Sequence, residues 1–368
     1  PSLAEAHSNL GKKFKELGEL KEAINCFQNA LKYKSESLLY YFYLSELQKN
    51  FLDTKLKNKI ETITKTNNST KNDIIYGNFL LSRYEKKKKN YKKELDYLEK
   101  GHHHQFESKK KNYINEVNQW LNILPKINEI INFHKYEKNS NKSKNKITPI
   151  YIVGVPRCGS TLVEKIIASG IETIPMGEEI AVLHTFIKSK IMKEGVINLD
   201  IINVEREIIK RYEKKGLINK KSNFTFTDKS LENFFYLQII KEIYPNAKII
   251  HCKRNALSSI MSIFQNNLSA LAWTHDLKHI FKYFDNYFKI MENCKKFYPD
   301  FIYELEFEKL VNNPKIESKK LMKFCELPWD KKCLEFYKRK DLISKTASNI
   351  QIRQAIYRHA VDKYLPYK

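Results

Sequence analysis

A short glycine-bearing segment, residues 154–161, has the composition of a phosphate-binding loop. It reads GVPRCGST, the skeleton of the Gly-x4-Gly-Lys-Ser/Thr loop, with Ser160 at the position of the usual lysine. The glycines allow backbone N–H groups to converge on phosphate oxygens, and the N-terminus of a following helix adds a favourable field. The positive charge of this loop comes from Arg157, inside the loop, and not from a lysine at its end. The planar guanidinium of Arg157 suits a tetrahedral anion. The segment therefore predicts an anion-binding turn.

A second basic segment follows the apolar run at residues 247–252. The run ends in Lys253 and Arg254. A P-loop kinase or ATPase would need an acidic residue at the end of such a strand, to hold magnesium. A strand that ends in basic residues instead predicts a second bound anion and no metal. The alternative from this segment alone is a surface arginine that only caps a strand.

The elements that position these two segments read as strands followed by helices. Residues 150–153 form an apolar, β-rich run before the first turn, and residues 162–168 predict a helix after it. The run at 247–252 also leads into a helix. Strands that alternate with helices imply a parallel sheet with phosphate-binding turns at the strand ends. The predicted fold of residues 148–368 is therefore α/β, a parallel sheet flanked by helices.

The order of these residues resembles that of the P-loop-like sulfotransferases, especially the tyrosylprotein sulfotransferases and the bacterial sulfotransferases fused to tetratricopeptide repeats. The shared features are VGVPRxGxTL in the first loop, an Asp-Lys pair at 228–229, an Arg with a Ser eight residues later, and LPW, TAS and QIR at 327–329, 346–348 and 351–353. Cys158 and Ser160 stand where the family usually has Ser and Thr. The resemblance covers residues 148–364.

The resemblance implies 3′-phosphoadenosine 5′-phosphosulfate as the sulfuryl donor, with no metal. The implied donor contacts are Arg157, Cys158, Gly159, Ser160 and Thr161 in the first loop, and Arg254, Ser262, Ser348 and Arg353 beyond it. Arg157 is also counted as catalytic, together with Lys229. The resemblance implies that Lys229 neutralises the oxygen bridging phosphate and sulfur as that bond breaks.

A general base is expected in residues 176–179, which read MGEE. An acceptor hydroxyl is a poor nucleophile while protonated, so a side chain must take its proton. The family places its catalytic Glu in such a Gly-Glu motif. Bacterial members resemble Glu178, which we prefer, and the tyrosylprotein branch resembles Glu179. The alternative is that both are solvated carboxylates at a helix start.

The sequence leaves the acceptor and two rival functions open. Peptide tyrosine, a polysaccharide hydroxyl and a small alcohol are all compatible with the motifs. The tyrosylprotein branch has an Arg after its Glu motif, where this chain has Ala181 and Val182, which weighs against peptide tyrosine. A small-molecule kinase is opposed by the missing loop lysine. A non-catalytic repeat scaffold is opposed by the intact Arg157, Lys229 and Arg254.

Residues 1–134 predict a helical region of the tetratricopeptide-repeat type. The residues at the characteristic positions of the 34-residue repeat are leucine, small or aromatic: Leu10, Gly11, Phe14, Ala23, Phe27 and Ala30. The Trp and Pro positions of that repeat hold His7 and Ser35. Further helical stretches are predicted at 38–64 and 74–100. Stacked repeats commonly serve as docking surfaces, so we expect a protein partner here, and the polar segment 135–147 predicts a linker.

The balance of charge is basic, with 66 Lys and Arg against 42 Asp and Glu, a formal net charge of +24. Such a balance favours an anionic partner. Nucleic acid is not predicted, because no recognition module accompanies the charge. Much of the lysine is expected to solvate helix faces.

The cysteines and histidines predict neither disulfides nor a metal site. Six cysteines occur singly, typical of reduced thiols in the cytoplasm. His102, His103 and His104 follow a predicted helix end at Gly101, with no carboxylate or cysteine ligand nearby. No apolar run reaches the roughly 20 residues of a membrane helix. The chain begins at Pro1 and not at Met, so we allow for a missing native N-terminal segment.

Overall fold

The structure, a computed structural model, describes residues 2–66, 68–134, 147–194, 197–219, 224–339, 341, 343–357 and 361–367. The first part is helical, with α1 (Leu3–Leu17), α2 (Leu20–Tyr33), α3 (Leu38–Leu47), α4 (Thr54–Lys65), α5 (Lys71–Lys87), α6 (Tyr91–Ser108), α7 (Lys110–Asn118) and α8 (Ile127–Ile130). The predicted linker lies outside the described residues, except for Ile147.

The second part alternates strands and helices. In chain order it contains β1 (Ile131–His134), β2 (Thr148–Gly154), α9 (Ser160–Ala168), β3 (Met176–Glu178), α10 (Val182–Glu194), β4 (Ile197–Asp200), α11 (Ile201–Lys214), β5 (Thr225–Lys229), α12 (Leu237–Ile243), β6 (Lys248–Lys253), α13 (Ala256–Phe264), α14 (Leu277–Phe297), β7 (Ile302–Glu306), α15 (Phe307–Asn312) and α16 (Pro314–Phe324). Short 3₁₀ turns follow β5 (Leu231–Tyr236) and α16 (Gln351–Arg353 among them).

Helices α1 and α2 pack as the predicted close pair. Ser2 caps α1 in a capping box with Glu5. A Cβ atom at Gly11 would lie 2.9 Å from the Phe27 ring, so the glycine is what lets the two helices approach. The assignment of this pair to the tetratricopeptide class stays a prediction.

The later helical stretches differ from the sequence prediction at three points. The stretch predicted at 38–64 is two helices, α3 and α4, separated by residues 48–53. The stretch predicted at 74–100 is also two helices, α5 and α6, separated by residues 88–90. The predicted helix end at Gly101 is wrong, because α6 continues to Ser108. Gly101 lies inside the helix, where a Cβ atom would be 3.2 Å from the Phe79 ring. This glycine therefore serves close packing between α5 and α6 and does not end the helix.

His102 joins α6 to the second part of the chain. Its Nδ1 lies 2.9 Å from Nδ1 of His275, and its Nε2 lies 2.7 Å from the carbonyl oxygen of Phe264. Burial lowers the pKa of His102 to about 4. Within the described residues, no cluster of three or more His, Cys, Asp or Glu side chains could hold a metal ion.

The second part is built on a five-stranded parallel sheet in the order β3-β5-β2-β6-β7. Strand β2 is central and is buried from Pro149 to Gly154. Gly154 is in register with Cys252 of β6. Because the strands are parallel, the turns after β2 and β6 lie side by side at one edge of the sheet. The predicted α/β fold is confirmed.

The two parts share one hydrophobic core. Phe79 of α5 and Ile152 of β2 belong to the same buried cluster. Strand β1, at the end of the region predicted to be purely helical, pairs in parallel with β4 from the second part. The division at residues 135–147 stays a prediction, but the two sides are packed together across it.

The cysteines and the helices are the features on which the predicted cytoplasmic location rests. All six cysteines are free thiols and are buried. Among the described residues, no helix has the length and apolar character needed to span a membrane. The cytoplasmic assignment stays a prediction.

Candidate active site

The first predicted anion loop connects β2 to α9 through a tight turn. Gly154 has φ of 156°, and a Cβ atom there would lie 2.9 Å from the carbonyl oxygen of Cys252. Gly159, which precedes α9, has φ of 99°, and its Cβ atom would lie 2.4 Å from the Phe307 ring. Side chains are excluded at both positions. The loop backbone is therefore held against β6 and α15, with the N-terminus of α9 beside it.

Arg157 contacts two other residues that were predicted to bind the donor, Ser262 and Ser348. Its Nε donates to Oγ of Ser262 at 3.0 Å and its Nη1 to Oγ of Ser348 at 2.7 Å. Its Nη2 donates to Oε1 of Gln351 at 3.1 Å. Burial and the neighbouring Arg254 lower the pKa of Arg157 to about 10. Both causes disfavour the charged form, so an anion bound here would stabilise the guanidinium.

Arg254 lies beside Arg157, as the parallel strands require. Its Nη1 donates to the carbonyl oxygen of Arg157 at 2.7 Å, and its guanidinium lies 4.9 Å from the centre of the Phe307 ring. Burial lowers the pKa of Arg254. The charge of Glu308 opposes this effect at Arg254. Two arginines in a largely buried place are costly unless counter-charges balance them. Their arrangement fits a ligand with more than one negative group.

We call the space at these two arginines the arginine cavity. Its lining includes Arg157, Arg254, Phe307, Tyr357 and Lys363. Lys363 was missed in the sequence. Burial, Arg157, Arg254 and Lys86 together lower the pKa of Lys363 to about 7. One lysine among so many gives no signal in the sequence, since only the fold brings it to the arginines.

Lys229 ends β5 and is completely buried. Its Nζ lies 2.6 Å from Oε1 of Glu179 and 3.7 Å from Oε1 of Glu178. Burial alone would lower the pKa of Lys229, but Glu179, Glu164 and Glu178 raise it to about 12. The predicted catalytic lysine and both predicted bases therefore form one cluster, and Lys229 stays charged at neutral pH.

The two glutamates of the cluster have different surroundings. Glu178 accepts hydrogen bonds from Oγ of Ser344 and from the backbone N–H of Lys345, both at 2.9 Å. The side chain of Glu178 is 9% exposed, whereas that of Glu179 is 43% exposed. Glu179 has φ of 53°, a conformation that non-glycine residues adopt rarely. Both glutamates therefore lie beside Lys229, and the choice of Glu178 as the base stays a prediction.

A larger cavity lies between the loop and Glu179, and we call it the acceptor-side cavity. It has a volume of about 410 Å³. The residues that line it include a set already predicted from the motifs or next to it, Arg157, Gly159, Ser160, Thr161, Glu179 and Ser348. A second set consists of Trp120, Leu231, Glu232, Leu268, Leu271, Trp273 and Tyr283. Trp120 comes from the N-terminal part, between α7 and α8. Sequence reasoning found none of this second set, because these residues belong to no spaced motif.

Two predicted contacts lie away from the cavities. Arg353 donates from Nη2 to the carbonyl oxygen of Glu16 at 3.0 Å, at the end of α1. The backbone N–H of Ser344 donates to the same oxygen at 3.2 Å. The Cys158 side chain is 1% exposed, under the loop beside Cys252. Arg353 therefore joins the C-terminal segment to α1, and Cys158 packs the loop onto β6.

Comparison with known proteins identifies this part of the chain. Residues 149–331 match the model described as "Sulfotransferase family". This segment is a sulfotransferase-family domain. The match ends before Ser348 and Arg353, so their implied roles do not come from it.

Two curated relatives overlap the sulfotransferase-family domain. An uncharacterized protein of Aquifex aeolicus (strain VF5) is 33% identical over 235 residues, which are 60% of this chain and 31% of that protein. Protein-tyrosine sulfotransferase A of Caenorhabditis elegans is 26% identical over 241 residues, 60% of each chain. This chain thus spans less than two thirds of the length of either relative.

Solved structures similar to the sulfotransferase-family domain include two from biosynthetic enzymes. The sulfotransferase domain of the Synechococcus PCC 7002 olefin synthase is 18% identical, with a TM-score of 0.42, over 63% of this chain and 91% of that one. The sulfotransferase domain from the curacin biosynthetic pathway is 17% identical, with a TM-score of 0.40, over 60% of this chain and 90% of that one.

Proposed function

We propose that this protein transfers a sulfuryl group from 3′-phosphoadenosine 5′-phosphosulfate to an acceptor hydroxyl. The observation that carries the proposal is the arginine pair at the ends of β2 and β6. Arg157 and Arg254 are in contact, and Ser262 and Ser348 bond to the first of them. Two cations at neighbouring strand ends fit a donor with phosphate groups at two positions. The loop and α9 are proposed to hold the 5′-phosphosulfate through Gly159, Ser160 and Thr161.

The proposed transfer is an in-line displacement at sulfur. The acceptor oxygen forms a bond to sulfur as the bond from sulfur to the bridging oxygen breaks, and adenosine 3′,5′-bisphosphate leaves with the electron pair. In such reactions the protein mainly positions the reactants and stabilises developing charge. Arg157 is proposed to hold the sulfuryl oxygens, and Lys229 the bridging oxygen.

Glu179 is the base that this geometry supports best. It lines the acceptor-side cavity and pairs with Lys229 at 2.6 Å. When Glu179 takes the acceptor proton, its charge is neutralised. The positive charge of Lys229 is then opposed less and acts more strongly on the leaving oxygen. Proton transfer and leaving-group stabilisation are coupled by this pair.

The N-terminal helices are proposed to take part in acceptor binding as well as in docking. Trp120 lines the acceptor-side cavity, and its ring stacks on His184 of α10 with centroids 5.3 Å apart. A docking role for the outer helix faces remains a proposal from the repeat pattern.

Binding of adenosine 3′,5′-bisphosphate tests the proposed function without an acceptor. We expect calorimetry to show binding in the presence of EDTA, and weaker binding of adenosine 5′-phosphate, which lacks the 3′-phosphate. Binding that disappears on chelation would support the kinase alternative. Equal affinity for the two nucleotides would overturn the assignment of a second phosphate site.

A further inference from the structure

Residues 344–353, which we call the anchored segment, are held at both ends by one atom of the N-terminal helices. The backbone N–H of Ser344 and Nη2 of Arg353 both donate to the carbonyl oxygen of Glu16, at 3.2 Å and 3.0 Å. Glu16 lies in the last turn of α1. The carbonyl groups of a last helical turn have no partner within the helix, so they are open to other donors. The two ends of the segment are therefore fixed at the same point of α1.

Between these two ends, the anchored segment contacts the candidate active site in two places. Oγ of Ser348 and Oε1 of Gln351 accept hydrogen bonds from the guanidinium of Arg157, at 2.7 Å and 3.1 Å. Nearer the first end, Oγ of Ser344 donates to Glu178 at 2.9 Å. The segment therefore fixes the orientation of the loop arginine and of one glutamate beside the catalytic lysine.

The end of α1 is fixed in turn by ion pairs with two other N-terminal helices. Lys15 pairs with Glu46 of α3, and Arg83 of α5 pairs with the same carboxylate at 3.2 Å. These three side chains are mostly buried, and ion pairs withdrawn from solvent are screened less by salt than exposed ones. The three side chains line a polar cavity of about 330 Å³ together with Asn349 and Gln351 of the anchored segment. The triad therefore holds α1 against α3 and α5 close to where the segment meets them.

Gly18 leaves the space that the Arg353 guanidinium occupies. It follows α1 with φ of 86°, the left-handed conformation that favours glycine. A Cβ atom at this position would lie 2.6 Å from Nε and 2.7 Å from Cζ of Arg353. Both distances are far below van der Waals contact. The missing side chain at Gly18 thus leaves room for Arg353 to reach the Glu16 carbonyl.

We propose that Arg353 is a positioning residue for donor binding, which ties the anchored segment to α1 so that the segment holds Arg157 in its binding orientation. The inference rests on the proposed sulfuryl transfer and adds a role for the N-terminal helices, which complete the donor site from behind the segment. Arg353 acts through Ser348 and Gln351 and does not itself touch the nucleotide. An arginine that is already oriented loses less conformational freedom when its ligand binds, so this support raises donor affinity.

Gly18→Ala tests this role from the side of α1. The new methyl group should displace the Arg353 guanidinium, the far end of a flexible side chain, at little cost to the fold. We expect calorimetry to show a Kd for adenosine 3′,5′-bisphosphate that is higher by roughly 3- to 30-fold, the scale of one hydrogen bond. Gly216→Ala is the matched control. Gly216 also has a left-handed φ, of 75°, and apart from its chain neighbours no described residue has an atom within 4 Å of its Cβ position, so its affinity should be unchanged.

Variants of Arg353 test the same contact from its other side. Arg353→Met should weaken bisphosphate binding about as much as Gly18→Ala does. Arg353→Lys should recover much of the affinity, because an ammonium can still donate to the Glu16 carbonyl. The double variant Gly18→Ala with Arg353→Met should lose no more than either single variant, since both changes break one contact, whereas independent defects of the fold would add. Thermal unfolding without nucleotide checks that each variant folds, and either single variant decides alone if the other does not.

The contrary outcomes are distinct. If Arg353 contacts the nucleotide directly, as its motif implied, Arg353→Met should lower the affinity while Gly18→Ala leaves it unchanged or raises it, and the proposal is wrong. Additive losses in the double variant, or an equal loss in Gly216→Ala, would also overturn it. If the unchanged protein binds the bisphosphate and none of the variants alters the affinity, only the role of Arg353 is lost. If the unchanged protein does not bind it, the proposed function fails first.

Discussion

The arginine cavity and the acceptor-side cavity share Arg157 but differ in their chemistry. The first collects Arg157, Arg254 and Lys363, whose pKa values are all lowered by burial. Neighbouring cations lower the pKa values of Arg157 and Lys363 further. The second has many apolar lining residues and two carboxyl groups, Glu179, which pairs with Lys229, and Glu232. The first cavity therefore has more positive charge than the second.

The difference indicates how one site can bind two unlike ligands in a fixed orientation. A polyanionic donor is attracted to the cations of the first cavity, and an apolar acceptor has little to gain among them. The difference thus favours one arrangement of the two ligands over its reverse, and specificity is a difference between the two free energies of binding.

The largest expected effect concerns the proton acceptor. Glu179→Gln should lower turnover by roughly 10²- to 10⁴-fold, the usual contribution of a general base, while donor binding is kept. Glu178→Gln is the matched control, and we expect a much smaller loss, because Glu178 is occupied by Ser344 and Lys345. Turnover measured with a saturating acceptor decides between them. A larger loss in Glu178→Gln would restore the assignment that the motif suggested.

Lys229→Ala should lower turnover by about 10²- to 10³-fold, as expected for one preorganised electrostatic donor. The affinity for adenosine 3′,5′-bisphosphate should change far less, because the charge that Lys229 opposes develops only as the bridging bond breaks. Removing this cation also leaves the surrounding glutamates unpaired, so thermal unfolding must be measured in parallel. Normal turnover with weaker nucleotide binding would make Lys229 an ordinary phosphate contact.

Arg254→Ala should weaken binding of the bisphosphate by about 1.5–3 kcal/mol, the scale of a charged hydrogen bond. Binding of adenosine 5′-phosphate should change less. Lys253→Ala is the control at the neighbouring position, since its ammonium is 43% exposed and pairs with Glu304 at 3.5 Å. Calorimetry that finds the same loss for both nucleotides would place Arg254 at the 5′ group instead.

The smallest expected effect is a dependence of nucleotide binding on pH. Lys363 has a pKa of about 7 without ligand, and a bound anion should raise it. Its contribution to affinity is then fully present below pH 7 and is lost as pH rises through the higher pKa of the complex. At pH 8 binding should take up a proton, which calorimetry in two buffers of different ionisation enthalpy would detect. Lys363→Met should abolish this uptake, and uptake that persists would assign it to another group.

The sequence marked the cations of the site better than the rest of the acceptor-side cavity. Lys229 ends β5, Arg254 directly follows β6 and Arg157 lies in the loop after β2, and parallel strands must bring their ends to one edge of the sheet. Trp120, Glu232 and Trp273 come from separate segments that meet only through packing, and no spacing in the sequence marks them. Arg353 was placed by its motif, but its guanidinium reaches α1.

The sequence predicted the helices of the N-terminal part in outline, but it did not predict that they pack against the second part of the chain. The small residue at Gly11 gave the close helix pair correctly. The break after α3 and the continuation of α6 past Gly101 depend on tertiary packing, which overrides local propensity. A polar segment at 135–147 suggested two separate bodies, whereas the buried contact of His102 with His275 joins them.

The carbonyl oxygen of Glu16 receives hydrogen bonds from Ser344 and Arg353, so α1 and the segment 344–353 are direct neighbours. Contacts of such sequence separation form slowly, because a long loop must close before they add stability. Ser348, which bonds to Arg157, lies between the two contacting residues. During synthesis the hydrogen bond between Arg157 and Ser348 can form only after the segment beyond α16 has left the ribosome. The protein is therefore expected to acquire nucleotide affinity late in folding, after its central sheet has formed.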